Sequence, residues 1–328
     1  MKLTYLYHSG FLLECEKCYV VFDYFLDGYD LSSSFYDKGG LARAIGPLGS
    51  DQLVEQDDIE KFESLEISAP NTSNPGTLGS LIVNLDKPCY VLASHFHKDH
   101  FLPFIFKILD YAKARRAQES TFPEVKLILS SDILKYRRKV CAPYVNELTF
   151  LAKGESYQDD LIKINAYGST DVGGSFAVHV PEHNFSLFHA GDFNYWHWQE
   201  ESTPQEITQA HDFFLKELAF IERHESYFDV VLFPVDPRMQ KNIAAGAQEF
   251  FAKINYQLLV PMHVIEKPQE VLSELKSNEL FSSCPISYDQ EGKERIYNLS
   301  LSKSASKEQL QVWLPHNSGD CALINFGA

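Results

Sequence analysis

The chain has 328 residues, of which 45% are hydrophobic, so it can bury a sizeable core and is neither disordered nor fibrous. Lys and Arg total 29 against 45 Asp and Glu, and the resulting formal charge of −16 disfavours nucleic-acid binding unless basic residues gather in one patch. The sequence lacks both an apolar stretch long enough for a membrane helix and a signal-peptide pattern at its start. We therefore expect a cytoplasmic protein that does not enter membranes.

The first 25 residues predict consecutive antiparallel strands joined by tight turns. Cys15 and Cys18 form a CxxC around Glu16-Lys17, and with no second CxxC a hairpin turn is favoured over a redox or zinc site. Residues 28–88 are rich in Ser, Gly, Asn, Asp and Glu. They indicate an insertion outside the core, partly helical over 55–64, which serves as a lid, a dimer contact or both.

Buried strands and amphipathic helices then follow each other to the end of the chain. Helices are predicted from Pro103, over 204–224 and near 268–276. The predicted strands are "CYVLAS", "VKLILS", "LIKINAY", "SFAVHV", "FSLFHA", "FDVVLFPV" and "QLLVP". Strands in two groups with helices between them predict two sheets packed face to face and covered outside by helices.

One cluster of polar residues carries the clearest chemistry. "LASHFHKDHFLPF", residues 92–104, places three histidines and an aspartate within six positions directly after a buried strand. Side chains at i and i+2 of an extended segment point to one side, so His95 and His97 can converge on one metal ion. Asp99 and His100 follow as the chain turns and offer ligands to a second ion. Imidazole and carboxylate suit zinc and other first-row divalent metals.

The segment "SHFHKDH" resembles the HxHxDH signature of the metallo-β-lactamase-fold hydrolase superfamily, residue for residue. The resemblance extends from the start to about residue 265 and leaves 265–328 unmatched. It implies an α+β four-layer αβ/βα sandwich forming a single domain over residues 1–328. The opening "LYHSGFLLE" is similar to the branch that includes ascorbate-6-phosphate lactonase. In that branch His8 approaches the site, although a satisfied polar residue at a strand end is the alternative.

The resemblance also implies a ligand set and its roles. In "FHAGDFN", Asp192 matches the aspartate that bridges two metals, and in "LLVPMHV", His263 matches the last histidine of the family. Asp23 looks like the structural aspartate near the metals and is not expected to be a ligand. By this resemblance one ion is held by His95 and His97, the other by Asp99, His100 and His263. Asp99 is also the expected catalytic group that orients the attacking water or accepts its proton.

One position departs from the family pattern. The family has a histidine in a turn before the bridging aspartate, whereas "GSTDVGGS" places Ser169 in that slot, and serine is a poor zinc ligand. Asp171 in the same turn is either a replacement ligand or an Asx-type turn residue. We expect two divalent ions, with zinc ahead of manganese and iron. The missing histidine leaves a single ion as the alternative.

The segment "NYWHWQE" beside Asp192 suggests a substrate pocket. Trp196 and Trp198 are candidate walls, and His197 is a candidate substrate-binding residue that donates a proton or binds a substrate oxygen. Packing that anchors the loop is the alternative for all three. Arg238 is a second candidate for binding substrate, through a phosphate or carboxylate, with a structural salt bridge to an acid such as Asp236 as its alternative.

Three functions are compatible with these features. The first is a hydrolase that uses a metal-activated water on a small-molecule ester, lactone or phosphoester. The second is a metal-dependent nuclease, which the acidic charge and the lack of a recognisable RNA-binding segment disfavour. The third is a metal-binding or sensing protein that lost turnover, motivated by Ser169. A homo-oligomer is compatible with all three.

Overall fold

The computed structural model describes residues 1–25, 77–264, 267–289, 291, 293–302, 309–315 and 317–326. The helical stretch expected at 55–64, with most of the 28–88 interval, lies outside the described residues. Within the described ranges, no helix has the length and apolar character needed to cross a membrane.

The described residues form strands and helices numbered here in chain order. The strands are β1 (Lys2–Tyr7), β2 (Gly10–Glu14), β3 (Tyr19–Phe22), β4 (Cys89–Ala93), β5 (Val125–Ser130), β6 (Leu148–Leu151), β7 (Ser156–Gln158), β8 (Lys163–Gly168), β9 (Gly174–Val180), β10 (Phe185–His189), β11 (Tyr227–Pro234), β12 (Asn255–Met262), β13 (Ile286–Ser287), β14 (Ile296–Leu301), β15 (Gln311–Trp313) and β16 (Cys321–Phe326). The helices are α1 (Thr77–Val83), α2 (Phe104–Gln118), α3 (Ser131–Tyr136), α4 (Arg138–Cys141), α5 (Pro204–Glu222), α6 (Ala245–Lys253) and α7 (Pro268–Ser277).

The strands form two mixed sheets of eight strands each. Sheet 1 has the order β14-β16-β1-β2-β3-β4-β5-β6, and sheet 2 has the order β13-β15-β12-β11-β10-β9-β8-β7. The first three strands pair antiparallel, as the sequence predicts, and β3 to β6 pair in parallel. In sheet 2, β10, β11 and β12 are parallel neighbours, so their carboxyl ends lie at the same edge.

The side chains of sheet 1 alternate between two apolar layers. Phe11 and Leu13 of β2 belong to the core shared with sheet 2, whereas Leu12 packs in a second cluster with α1 and α2. Beside sheet 2, Phe214 of α5 and Phe250 of α6 join the shared core. Helices therefore cover both sheets from outside, and the molecule is the four-layer αβ/βα sandwich that the sequence resemblance implies.

The C-terminal segment, unmatched in sequence, contributes strands to both sheets. β16 pairs antiparallel with β1, and β15 pairs in parallel with β12. Trp313 of β15 is fully buried in the shared core. The strands of this segment are therefore part of the sandwich and not an appendage to it.

The end of the 28–88 interval corrects the prediction that this interval lies outside the core. Leu78 and Ile82 of α1 are fully buried against sheet 1, and Leu85 is 5% exposed. The Tyr19 hydroxyl donates to Asp86 Oδ1 at 2.9 Å, which also ties the segment to β3. The helix is only seven residues long and contains Gly and Ser, so its periodicity is too weak to detect in the sequence.

Candidate metal centre

The candidate ligands follow strands that end at one edge of the sandwich. His95, His97 and His100 come after β4, Asp192 after β10 and His263 after β12. β1 runs in the same direction as β3 because each is antiparallel to β2. The turn after β1 therefore brings His8 to this edge as well. Strand carboxyl ends are common positions for functional side chains in mixed sheets.

The first group of ligand atoms consists of His95, His97 and Asp192, whose donor atoms all lie within 4.8 Å of one another. His95 Nε2 lies 3.0 Å from His97 Nδ1 and 3.3 Å from Asp192 Oδ2. His95 is fully buried, whereas His97 is half-buried. The i, i+2 spacing thus brings both imidazoles to one point, as the sequence predicts.

The second group consists of His8, His100 and His263, with donor atoms again within 4.8 Å of one another. Asp192 Oδ1 lies 3.1 Å from Nε2 of both His100 and His263. Asp99 Oδ2 lies 3.2 Å from His8 Nε2 and 3.9 Å from His100 Nε2. One oxygen of Asp192 therefore faces each group, which is the arrangement of a carboxylate that bridges two ions.

Four candidate ligand atoms at this point are buried without a hydrogen-bond partner among the residues that the structure describes. They are His8 Nε2, His100 Nε2, His263 Nε2 and Asp192 Oδ1. Each buried polar atom left unpaired costs about 1–3 kcal/mol, and four at one place are not expected in a stable fold. A divalent cation would accept lone pairs from all four, so these residues fit a metal centre.

Asp23 and Ser94 orient His100 from behind. Nδ1 of His100 lies 2.6 Å from Asp23 Oδ2, and Asp23 also accepts hydrogen bonds from the Ser94 amide at 2.7 Å and hydroxyl at 2.6 Å. A proton on Nδ1 leaves the lone pair of Nε2 directed at the metal position. Asp23 therefore supports a ligand, in agreement with the structural role predicted for it.

Asp236 plays the same part for His263, and sequence analysis missed it. His263 Nδ1 lies 3.3 Å from Asp236 Oδ2, and Arg238 Nε donates to both Asp236 oxygens at 3.0 and 2.9 Å. The signal in the sequence was an acid directly after β11. This strand pairs in parallel with β12, and His263 follows the end of β12. Of the two roles considered for Arg238, the structure shows the salt bridge.

Two of the candidate ligands, Asp192 and His8, have pKa shifts that favour the protonation state in which each binds a cation. Burial alone would raise the pKa of the Asp192 carboxyl, but His100 and His95 outweigh burial and hold it well below its usual range. Burial lowers the pKa of His8 to about 4, and neighbouring His263 adds to the effect. Asp192 is therefore an ionised carboxylate and His8 a neutral imidazole near pH 7, the forms in which each binds metals.

The turn that contains Ser169 and Asp171 packs directly on His95. Gly173 has φ +69°, and a Cβ there would lie 2.3 Å from His95 Cβ and 2.4 Å from the Ser94 carbonyl oxygen. Asp171 is exposed, and its amide donates to Ser169 Oγ at 3.3 Å. The first group of converging donor atoms has three protein donors, and the Asp171 carboxylate is not one of them.

The tryptophans and the histidine of "NYWHWQE" have different positions. Trp196 and Trp198 stack at 5.6 Å, and the Trp196 ring lies 6.1 Å from that of His263, so Trp196 borders the metal edge. His197 is fully buried, and its Nε2 lies 3.3 Å from the carbonyl oxygen of Asn242. Neither ring nitrogen of His197 is among the converging donor atoms of the two histidine groups.

No protein-family model matches this chain, and no curated protein matches it. Solved structures similar to it include Igni18, a metallo hydrolase from Ignicoccus hospitalis, at 15% identity over 84% of this chain and 90% of that chain, with a TM-score of 0.45. The metallo-beta-lactamase fold protein YhfI from Bacillus subtilis is 13% identical over 98% of both chains, with a TM-score of 0.43. At such identities and scores, these likenesses carry no inference about the reaction or substrate of this chain.

Proposed function

We propose that the protein is a metal-dependent hydrolase that uses a metal-activated water on a small-molecule ester, lactone or phosphoester. The observation that supports it most is Asp192, whose two carboxylate oxygens face two separate groups of imidazoles. When bound, two divalent ions at such a centre lower the pKa of water and stabilise developing negative charge. The donor set suits zinc first, with manganese and iron as alternatives.

The chain's own residues supply positioning around this centre. The Asp99 side chain is 15% exposed and lies beside His8 and His100, which are both buried. Burial alone would raise the pKa of Asp99, but His100 and His8 hold it below its usual range. An ionised carboxylate at the open side accepts a hydrogen bond from the attacking water and so orients it. Trp196 gives the substrate an apolar surface next to His263.

The charge of the chain favours a small substrate over a nucleic acid. A net charge of −16 repels a polyanion at long range. We also propose, from the "LYHSGFLLE" opening, that the protein is related to the lactonase-like branch and acts in the cytoplasm. The lactonase-like opening contains His8, which the structure brings to the metal edge.

The test is hydrolysis by protein stripped of metal and reloaded with zinc, manganese or iron. Aryl phosphomonoesters, phosphodiesters, lactones, aryl esters and a short RNA are assayed in parallel, with Asp192→Asn as the inactive control and His197→Gln as the control outside the site. We expect metal-dependent turnover of at least one small ester, lost in Asp192→Asn. Cleavage of RNA alone would replace the proposal by the nuclease alternative. Bound metal without any turnover would replace it by the sensing alternative.

A further inference from the structure

His8 lies outside the ligand set implied by the sequence resemblance, yet its imidazole belongs to the second histidine group. Its donor atom lies within 4.8 Å of those of His100 and His263. The His8 ring stacks on the His263 ring at 4.2 Å with an interplanar angle of 23°, and it meets the His100 ring edge-on at 5.6 Å. The donor nitrogens of three imidazoles therefore lie close together.

Hydrogen bonding with the other described residues does not account for this position of His8. Nε2 is buried and has no hydrogen-bond partner within the described ranges, and the whole residue is 3% exposed. The neighbouring acceptor Asp99 Oδ2 is 3.2 Å away but outside hydrogen-bond geometry. Buried polar atoms are almost always paired, so an unpaired imidazole nitrogen next to two others indicates a missing shared partner.

The turn after β1 holds His8 in an energetically unfavourable backbone conformation. Its φ of 57° lies in the left-handed region, which non-glycine residues rarely adopt. The His8 amide donates to the Tyr5 hydroxyl at 2.8 Å. At Gly10, a Cβ would lie 3.0 Å from the Tyr7 carbonyl oxygen and 3.1 Å from that of Asp23, so the turn also packs closely on the end of β3. The imidazole is therefore pre-positioned at the metal edge.

We propose that His8 is a protein ligand of the second metal ion, an inference that rests on the metal centre of the proposed function. The second ion would then have three imidazoles and Asp192 Oδ1, whereas the first would have two imidazoles and Asp192 Oδ2. The centre is thereby asymmetric, because the second ion has one more protein ligand than the first. Ser169 belongs to the turn beside the first ion and adds no ligand there. The second position binds metal more tightly and fills first, and the first retains open positions for water and substrate.

The test is a zinc titration of metal-free protein in competition with a chromophoric chelator. Wild type is expected to bind two ions in separate steps. Loss of a hydrogen bond to a metal ligand typically weakens metal affinity by about 10–100-fold. His8→Ala removes a ligand itself and should therefore weaken the affinity of the tighter step by more than this. The weaker step should persist, because the first group is intact. The matched control His197→Gln, which also alters a buried histidine, should keep both steps.

A second variant separates coordination from damage to the fold. His8→Cys places a thiolate, itself a metal ligand, at the same turn. Loaded with one equivalent of cobalt, it should show thiolate-to-cobalt charge-transfer absorption that the wild type lacks, and it should retain the tighter step. Wild-type affinities in His8→Ala, or no such absorption in His8→Cys, would overturn the inference and leave the proposed function standing. A wild type that binds no metal would overturn both.

Discussion

Asp23 Oδ2 lies 2.6 Å from Nδ1 of His100, and both residues are buried. We predict that Asp23→Asn weakens zinc binding by about 10–100-fold, because the neutral amide no longer fixes the imidazole tautomer or raises its basicity. Asparagine also tolerates the left-handed backbone at this position, where φ is 42°. Chelator competition measures the affinity. An unchanged affinity would mean that Asp23 does not support His100.

Asp192 faces both histidine groups, whereas His97 belongs to only one. Asp192→Asn is therefore expected to lower metal content from about two ions per chain to about one, since the first group keeps only two imidazoles whereas the second keeps three. His97→Ala should retain about one ion because the second group remains intact. Elemental analysis after gel filtration measures both. Two ions retained in Asp192→Asn would exclude a bridging role.

Asp171 is exposed and lies outside both groups of converging donor atoms. We predict that Asp171→Ala keeps the metal content and the affinity of the wild type within about twofold, as expected for an exposed turn residue. The same elemental analysis and chelator competition apply. Loss of one ion would show instead that Asp171 replaces the histidine missing at Ser169.

Gly173 makes the closest backbone approach to His95. Gly173→Ala should lower the free energy of unfolding by more than about 1 kcal/mol, because φ is +69° and the added Cβ collides with His95. Gly79 in α1 is the matched control: apart from its own helix, no atom of the described residues lies within 4 Å of its would-be Cβ, so Gly79→Ala should be neutral or stabilising by about 0.5–1 kcal/mol. Urea unfolding in the presence of a chelator measures both. Equal effects of the two substitutions would contradict the packing described for this turn.

Asp159 joins three side chains far from the metal edge. It accepts hydrogen bonds from Tyr90 and Tyr157 at 2.7 Å each and from Lys126 at 3.0 Å. Burial alone would raise its pKa, but Tyr90 and the other donors hold the pKa below its usual range. A depressed folded-state pKa stabilises the fold above the unfolded-state pKa of about 3.9, and this contribution is lost as pH falls through the folded-state value.

Asp159→Asn should therefore lower the free energy of unfolding by about 1–3 kcal/mol at pH 7, because hydrogen bonds to the charged carboxylate are lost. The difference from wild type should narrow below about pH 4 as the wild-type carboxyl becomes protonated, first in the unfolded state. Urea unfolding of both proteins between pH 7 and pH 3 measures this difference in the free energy of unfolding. A difference that stays constant or widens on acidification would contradict this assignment.

The convergence of His95 and His97 could be predicted from the residue pattern alone. The i, i+2 spacing of His95 and His97 after a buried strand already implies that they converge, and the structure shows this. Asp192 and His263 could be assigned only through the sequence resemblance, because no local spacing brings together single residues that follow distant strands. The parallel pairing of β10, β11 and β12 does so.

Asp236 could not be assigned from the sequence, and His8 was brought near the site only by the sequence resemblance, with a polar residue at a strand end as its alternative. His8 reaches the site through the direction of β1 in sheet 1 and a left-handed backbone conformation, neither of which a residue pattern reports. From the sequence, Asp236 was considered only as an acid that forms a salt bridge with Arg238. The face-to-face sheets were predictable from alternating apolar runs, whereas α1 was not, because Leu78 and Ile82 are too few to establish a period.

Anomalous diffraction at the zinc edge, from crystals of zinc-reconstituted protein, tests the two-metal centre most directly. We expect two peaks separated by about 3.5–4 Å, one among His95, His97 and Asp192 and the other among His100, His263 and Asp192. Peaks elsewhere, or no peak among these side chains at full zinc loading, would contradict the account of Asp192 as a bridge between two ions.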